Sequence, residues 1–396
     1  MTAATDLRLL FFRGFVSPSQ DYKASDAIGY GITAVDAILA ELPRHGIQVQ
    51  CVEPDVPPGL EDIERRRLGW ILAGYQSLLC IPPEEYDAIF IFHAFQHFPQ
   101  EIGRIIAELG IGAAVIGYTH GSHWDPTDEF RFIHYPGMEV TDLANLLALD
   151  RVLVGSNYFR DTLLQNVAQW NPEVAHRLEA KLRVVGLPIN SAAIDRARTD
   201  ERFPQPTIVF NHSMVPSKDP GLFLDAAERV LATHDCQVFI TRDVKGTEVE
   251  KRVTDLQQRF PHRVHVGGTL DLEAYFRLLW MADIQVSTAR HETFGISTVE
   301  AMYTETCCLL PDRASYPEIT DNCRDALYGT SEEMFSKLDH YLRDAEDRRR
   351  LASVLRQRAL RHTPPQVVPR VAAVIEEAVS VNRNRRHTGP APARAG

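Results

Sequence analysis

Short runs of apolar and β-branched residues alternate with amphipathic stretches of helix length along most of the chain. The run LRLLFFRGF precedes a polar, glycine-bearing loop, and ITAVDAILAELPRHG then has apolar residues at helical spacing and ends at Gly46. The next apolar run is IQVQCVEP. This order of strand, loop, helix and strand predicts a right-handed βαβ unit, and therefore a parallel sheet covered by helices.

The alternation occurs in two series. YDAIFIFH, IGAAVIGYTH and LDRVLVGS continue the first, and TIVFNHS, CQVFITRD, HRVHVGG, ADIQVSTA and CCLLPD form the second. Between them lies a segment rich in proline and charge, and 396 residues exceed what one compact core holds. We predict the α/β class: a Rossmann-like N-terminal domain at 1–190, a linker at 191–205, a Rossmann-like C-terminal domain at 206–382 and a disordered basic tail at 383–396.

Charge and cysteine content limit the possible partners and compartment. The net charge of −11 makes the chain a poor general binder of nucleic acid, so we expect no nucleic-acid partner. None of the six cysteines forms a C-x-x-C pair, which favours reduced thiols over a disulfide or zinc framework. Because no apolar run approaches membrane-helix length and the N-terminus lacks a signal peptide pattern, we expect a cytoplasmic protein without membrane insertion. The oligomeric state is left open.

The segment STARHETFGISTVEAMY places two glutamates, Glu292 and Glu300, on either side of a predicted turn at Gly295. Ligands of doubly wound sheets bind beyond the carboxyl ends of the strands, where helix N-termini favour phosphate. Carboxylates accept hydrogen bonds from sugar and ribose hydroxyls, and backbone amides bind phosphates, so a sugar nucleotide fits this spacing. The alternative is that both glutamates are ordinary surface charges, as glutamates usually are.

HETFGISTVEAM resembles the E-x7-E signature of the family-4 retaining glycosyltransferases, which have the two-domain GT-B fold. TIVFNHSMVPSKDPGLFLDAA is similar to the family's strand, loop and helix that carry a donor-phosphate lysine, here Lys218. FNHSMVPSKDP together with YPEI resembles one branch, the tRNA-queuosine mannosyltransferase-like proteins. The resemblance implies two doubly wound domains facing each other across a cleft.

The N-terminal half resembles the family less closely. ASDAIGYGITAVDAILAELPRHGIQVQCVEP is similar to the family's glycine loop and first helix, with Gly29 and Gly31 in the loop. YTHGSH occupies the place where the family has a histidine near the reacting sugar, which corresponds to His120. VGSNYFRDTLL is similar to a further stretch of the family.

The resemblance implies transfer of a hexosyl group from a GDP- or UDP-linked sugar with retention of configuration. Lys218 and the amides near Gly295 and Ile296 would stabilise the leaving phosphate, Glu292 would orient the sugar, Glu300 the ribose, and His120 would contact the sugar near its anomeric carbon. Neither glutamate is assigned as a nucleophile. Predicted catalytic residues are His120, Lys218 and Glu292, and predicted donor-binding residues are Gly29, Gly31, Lys218, Arg242, Glu292, Phe294, Gly295, Ile296 and Glu300.

One position departs from the family pattern. The family usually has an arginine five residues before the phosphate lysine, where this chain has Ser213. A diphosphate bound by a single lysine would be costly to bury. Either Arg242 or Arg290 compensates, or the donor differs, or activity is reduced. A homologue that binds a nucleotide sugar without transferring it is therefore an alternative function.

Other candidates concern the acceptor and a metal. We predict an acceptor pocket lined by His123, Trp124 and Asp125 for a small molecule with a hydroxyl group; a modified tRNA is the alternative acceptor. His93 and His97 lie four residues apart, but a metal is not favoured because their segment is strand-like and no carboxylate is near. The chain has no Asp-x-Asp motif, so we expect no fixed metal and no cofactor besides the donor.

Overall fold

The computed structural model describes residues 6–13, 30–52, 72, 75–76, 80, 82, 85–94, 99–128, 137–268 and 270–388. The chain divides into two compact units. Of the described residues, the first unit contains 6–13, those within Ala34–Pro188 and those from Pro364 onward. The second unit contains Ile189–Thr363 together with residues 30–33, the first turn of a helix that continues into the first unit. Among the predicted site residues, Gly29 lies outside the described residues, as does His97 of the disfavoured metal pair.

The first unit contains a six-stranded parallel sheet with the strand order β2-β1-β3-β4-β5-β6. Its strands are β1 (Leu7–Phe12), β2 (Ile47–Val52), β3 (Ala88–Ile91), β4 (Ala114–Tyr118), β5 (Arg151–Val154) and β6 (Leu182–Val184). Its helices are α1 (Tyr30–Glu41), α2 (Pro99–Glu108), α3 (Met138–Ala148), α4 (Asn157–Trp170) and α5 (Pro172–Glu179). Every residue of β3 and β4 is buried, as expected of central strands covered on both faces.

The second unit contains another six-stranded parallel sheet, in the order β12-β11-β10-β7-β8-β9. Its strands are β7 (Thr207–Phe210), β8 (Gln237–Ile240), β9 (Val264–Val266), β10 (Ile284–Val286), β11 (Cys307–Pro311) and β12 (Leu327–Tyr328). Its helices are α6 (Ser191–Arg196), α7 (Pro220–Thr233), α8 (Glu250–Arg259), α9 (Leu272–Met281), α10 (Ile296–Tyr303), α11 (Tyr316–Ile319), α12 (Ser331–Arg343) and α13 (Ala345–Ala359). Both sheets are doubly wound, which confirms the predicted α/β class.

The last helix, α14 (Pro364–Thr388), packs on the first unit. Glu377 accepts hydrogen bonds from Arg151 at 3.0 Å and from Arg183 at 2.7 Å, and these arginines lie on β5 and β6. The hydrogen bonds from Arg183 and Arg151 lower the pKa of Glu377 to about 2. The sequence prediction placed 206–382 in one C-terminal domain and a disordered tail from 383, but the structure puts α14 with the first sheet and keeps it helical to Thr388.

The segment predicted as a linker carries secondary structure of its own. Helix α6 lies within 191–205 and buries Ala193 and Ile194. The indole N–H of Trp280, at the end of α9, donates to the carbonyl oxygen of Ile194 at 2.8 Å. This part of the chain is therefore packed against the second unit. Among the described residues, no helix combines the length and the apolar character that crossing a membrane requires.

Candidate functional site

The order of strands in the second sheet reverses between β7 and β10, which are neighbours in the sheet although β8 and β9 lie between them in the chain. In doubly wound sheets, a ligand-binding crevice forms outside the carboxyl ends of the strands at such a reversal. Strand β7 is followed by Asn211 and His212, and β10 by the loop that leads into α10. The predicted carboxylate pair flanks the start of that helix.

The turn into α10 depends on Gly295. This residue caps the helix with φ 89°, a left-handed backbone conformation that costs a residue with a Cβ about 1–2 kcal/mol. A Cβ at Gly295 would lie 3.4 Å from side-chain atoms of Glu292, Tyr316 and Ile319. The first N–H groups of a helix have no acceptor within the helix, so this turn presents amide donors at the sheet edge.

Lys218 and Glu292 form an ion pair beside this turn. Lys218 Nζ lies 3.0 Å from Glu292 Oε2 and also donates to the carbonyl oxygen of His291 at 2.9 Å. Thr288 Oγ1 donates to the carbonyl oxygens of Lys218 and Asp219, which ties the two loops together. Burial acts to raise the pKa of Glu292, but the opposing effects, led by the charge of Lys218 and including its hydrogen bond, together hold the pKa below its usual value. Glu292 is therefore a carboxylate at neutral pH.

Glu300 has a different environment, although it lies only eight residues further along the chain. It is 2% exposed, and its Oε2 accepts a hydrogen bond from the hydroxyl of Tyr275 at 2.9 Å. Asn211 Nδ2 donates to the same Tyr275 oxygen at 3.2 Å and to the carbonyl oxygen of Ser297 at 2.8 Å. Burial raises the pKa of Glu300 to about 8, despite the Tyr275 hydrogen bond and the charge of Arg242. The two glutamates of the motif thus differ in protonation at neutral pH.

His212 completes the buried polar network. Its Nε2 lies 3.3 Å from Gln285 Nε2, and its Nδ1 lies 3.3 Å from Ser297 Oγ. Burial, with the charges of Lys218 and Arg242, lowers the pKa of His212 to about 3. The ring is therefore neutral and adds no charge to the site.

Sequence reasoning did not identify Asn211, His212, Gln285 or Tyr275. The first two lie at the end of the predicted strand run TIVFNHS, and that position at the carboxyl end of a strand was a usable signal. Gln285 and Tyr275 lie inside a strand and a helix, and their roles depend on which elements pack together.

Comparison with known proteins gives a match in the second unit. The family described as glycosyl transferases group 1 matches residues 192–358. The chain is 26% identical over 221 residues to tRNA-queuosine alpha-mannosyltransferase of Drosophila melanogaster, in a match covering 51% of this chain and 57% of that protein. The chain thus spans little more than half the length of this curated relative.

Solved structures extend the similarity of the fold to nearly the whole chain. The catalytic domain of starch synthase IV from Arabidopsis thaliana, bound to ADP and acarbose, superposes with a TM-score of 0.71 at 12% identity, covering 95% of this chain and all of that one. The α,α-trehalose 6-phosphate synthase of Burkholderia multivorans gives 0.70 at 12% identity, covering 98% of this chain and 100% of that chain. Anabaena HepE, in complex with UDP and glucose, gives 0.60 at 15% identity with 94% and 100% coverage. The chain has the GT-B fold, as the sequence predicted.

Within residues 192–358, the remaining predicted donor residues lie in different settings. Arg242 is half-buried just beyond the end of β8, whereas Ser213 is exposed after β7. The side chain of Arg290 is 65% exposed and paired with Asp219 at 2.8 Å. Phe294 is buried, and its ring meets that of His362 edge to face at 5.1 Å, so it packs inside the domain.

The first unit places His120 at the carboxyl end of β4. Its Nε2 is 2.9 Å from the carbonyl oxygen of Phe92, and its ring stacks on Tyr118 with centroids 4.4 Å apart. Burial lowers the pKa of His120 to about 3, against the opposing effect of the Phe92 hydrogen bond. A neutral ring that donates through Nε2 retains Nδ1 as an acceptor. The ring of His93 lies 4.8 Å away, in the same group of rings.

The predicted acceptor residues make contacts that stabilise the loop after β4. Asp125 is fully buried, and its Oδ1 accepts hydrogen bonds from the backbone N–H of Thr127 at 2.8 Å and from its hydroxyl at 2.7 Å. The indole N–H of Trp124 donates to the carbonyl oxygen of Glu139 at 2.7 Å. His123 is 5% exposed with Nδ1 3.5 Å from Asp142. These contacts give all three residues structural partners, and an acceptor role stays a prediction.

Gly31, predicted to lie in a glycine loop, is instead in the first turn of α1, which begins at Tyr30, so it is helical.

Within the described part of the chain, one set of possible metal ligands has its atoms within 4.8 Å of one another. These residues are His340, Asp344 and Asp347, on and between α12 and α13. Asp344 already accepts the backbone N–H groups that start α13, and His340 is paired with Asp347 at 3.0 Å.

Proposed function

We propose that the protein is a retaining glycosyltransferase that moves a hexosyl group from a nucleoside diphosphate sugar to a hydroxyl group of a small polar acceptor. The observation that carries the proposal is the Lys218–Glu292 pair, 3.0 Å apart, beside the N-terminus of α10. A cation, a group of helix N–H donors and a carboxylate lie together at the sheet's switch point. These groups match the diphosphate and the hydroxyls of one ligand.

The departure of a nucleoside diphosphate leaves negative charge on its outer phosphate, and stabilising that charge lowers the barrier. Lys218 and the N–H groups at the start of α10 supply that stabilisation. Lys218 is paired with Glu292 before the donor binds, so donor binding exchanges a carboxylate partner for a phosphate. Glu292, released from Lys218, then accepts hydrogen bonds from hydroxyls of the donor sugar.

The second glutamate of the motif has a different role. Glu300 is nearly fully buried against Tyr275, and it is the fifth residue of α10, about one turn from the start of the helix. We assign it to a ribose hydroxyl of the donor. With a pKa raised by burial to about 8, the carboxyl group holds its proton at neutral pH and both accepts and donates hydrogen bonds. No resident metal is needed in this arrangement, since positive charge and helix N–H groups neutralise the phosphates; unchanged activity in EDTA would agree with this.

The test is product formation from UDP-, GDP- and ADP-linked hexoses with a panel of small hydroxyl acceptors. We expect Lys218→Ala to reduce transfer by about two to three orders of magnitude, the effect of removing one group that stabilises developing negative charge. Lys251→Ala, at an exposed lysine of α8, is the matched control and should keep full activity. Wild-type protein that makes no product with any donor, or full activity in Lys218→Ala, would contradict the proposal.

Ligand-induced stabilisation gives an independent measure of the donor. A ligand present at a hundred to a thousand times its dissociation constant stabilises the folded state by about 3–4 kcal/mol. Thermal unfolding with UDP, GDP and ADP should therefore identify the preferred base as the one that raises the midpoint most. No shift with any nucleoside diphosphate would argue against a donor site in the second unit.

Two alternatives each have one observation in their favour. The match to tRNA-queuosine alpha-mannosyltransferase favours a modified tRNA as acceptor, and filter binding of tRNA at low salt would detect it, because phosphate-driven binding is strongest there. Serine at position 213 favours a homologue that binds nucleotide sugars without transferring them. Binding of a nucleotide sugar without product in the donor panel would support this second alternative.

A further inference from the structure

The groups that the proposed function assigns to the donor phosphates include only one cation, and that cation is already paired. The Lys218–Glu292 pair has a net charge of zero, and this chain has the exposed Ser213 where the resembled glycosyltransferases have an arginine. The diphosphate of a sugar nucleotide carries about two negative charges. Burying the phosphates against this pair alone would be costly. A second cation near the start of α10 would remove that cost.

We infer that Arg242 supplies this second charge and binds the diphosphate of the donor in place of an arginine at 213; the inference rests on the proposed function. The pairing of strands β7 and β8 supports this inference. Phe210 at the end of β7 pairs with Ile240 at the end of β8, and the N–H of Thr241 donates to the carbonyl oxygen of Phe210 at 3.0 Å. His212 and Arg242 are each two residues further along, so they lie side by side at the carboxyl edge.

The charge of Arg242 is near enough to this network to act on its titratable groups. It adds to burial in lowering the pKa of His212, and it opposes burial at Tyr275 and Glu300, whose pKa values stay raised. His212 and Tyr275 bond to Ser297 and to Asn211, which in turn contact the first turn of α10. The register thus puts Arg242 next to His212, which contacts Ser297 in the first turn of α10, where the phosphates are proposed to bind.

The other candidate, Arg290, has a different environment. Its side chain is 65% exposed, and both its Nε and its Nη2 are held by Asp219 Oδ2, at 2.9 and 2.8 Å. Arg242 is half-buried instead. Charges act more strongly on each other where water is partly excluded, so Arg242 is the more effective partner for a phosphate.

The inference is tested by binding of a nucleoside, its monophosphate and its diphosphate, using the base that stabilises the wild-type protein most. We expect Arg242→Gln to weaken diphosphate binding by about ten- to a hundredfold, the effect of one hydrogen bond to a charged group, and to leave nucleoside binding unchanged. Arg242→Lys should retain part of the affinity. Adding Ser213→Arg to Arg242→Gln should restore diphosphate binding, because it returns a guanidinium group to the site.

Controls separate this charge from a general effect of removing arginine. Arg252→Gln is the matched control, since Arg252 on α8 is paired with Asp225 at 2.6 Å, and it should bind as the wild type does. A loss of affinity in Arg290→Gln but not in Arg242→Gln would assign the charge to Arg290 and overturn the inference. Wild-type affinity in Arg242→Gln together with lost affinity in Lys218→Ala would also overturn it, while the proposed function would stand. A wild-type protein that binds no nucleoside diphosphate would overturn both.

Discussion

The predicted site residues at the carboxyl edges of the two sheets have different surroundings. At the second edge, Lys218 is paired with Glu292, and Arg242 acts on the buried Glu300. At the first edge, the group of rings around His120 includes Phe92 and Tyr118, and burial lowers the pKa of His120 to about 3. The charged groups of the second edge are suited to an anion, and this ring-lined edge of the first sheet is suited to hydrogen bonding and stacking by a neutral histidine.

This difference separates two kinds of effect. Substitutions at the charged edge should change the binding of a nucleoside diphosphate or the use of its sugar. Substitutions at the ring-lined edge should leave nucleotide binding alone and change transfer only. A substitution in the first unit that lowers nucleotide affinity would break this division.

The largest effect is expected for Glu292→Gln. The amide has the same shape but cannot pair with Lys218 or accept as many hydrogen bonds, so transfer should fall by about two to three orders of magnitude. Affinity for the nucleoside diphosphate should be unchanged or higher, since Lys218 loses a competing partner. Steady-state kinetics for kcat and calorimetry for binding measure the two effects separately. If the variant loses affinity for the nucleoside diphosphate and transfer activity to the same extent, the role of Glu292 is to maintain the structure of the site instead.

Glu300→Gln should change the pH dependence of stability. The folded pKa of Glu300, about 8, lies above its ordinary value, so its stabilising contribution is complete in acid and is lost as the pH rises towards 8. The free energy of unfolding of the wild type should therefore fall relative to the variant by up to about 1.4 kcal/mol per pH unit between pH 5 and 8. Urea denaturation at several pH values checks this, with the exposed Glu332→Gln as control. A constant difference would refute the assignment of a protonated carboxyl group.

Gly295→Ala should lower stability by about 1–2 kcal/mol through its left-handed backbone conformation, and should also weaken diphosphate binding. Gly110→Ala in the first unit is a matched control. Gly110 also has a positive φ, 68°, but a Cβ there would meet no atom within 4 Å. Both variants should therefore lose stability, and only Gly295→Ala should lose affinity. If the two variants bind the diphosphate with equal affinity, the turn at Gly295 is not part of the phosphate site.

The smallest effect is expected for His120→Gln, at the ring-lined edge. A neutral histidine contributes one hydrogen bond, so transfer should fall about tenfold while nucleotide affinity is unchanged. Since His120 is already neutral, the shape of the pH–rate profile between pH 5 and 8 should not change. A profile that loses an inflection near pH 6.5 in the variant would show that His120 titrates during the reaction.

The sequence predicted those features that depend on neighbours along the chain. The runs TIVF and CCLLP form β7 and β11, and Gly295 makes the turn between a strand and a helix, because apolar alternation and backbone preference act locally. Lys218 and Glu292 were identified from short motifs and do lie together. The contact of Asn211 with Tyr275 joins residues 64 positions apart, and no local pattern encodes it.

The two errors at the chain level have the same cause. Helix α14 was assigned to the domain that precedes it in the chain, and its first unit contacts depend on pairs such as Arg151 with Glu377, 226 positions apart. The predicted linker was identified by proline and charge, but two apolar residues of α6 were enough to anchor it. In both the helix α14 and the predicted linker, the outcome depends on burial between segments that are distant in sequence. Composition gives no information about such burial.

The return of α14 to the first sheet makes the fold discontinuous in sequence. Val367, Val368, Val371 and Ile375 are fully buried in that helix, so it is a wall of the first unit and not an appendage of the second. Deleting everything from residue 364 onward would therefore expose apolar surface in the N-terminal half, and aggregation would follow there first. Anyone expressing the two halves separately would need to fuse this helix to the earlier fragment.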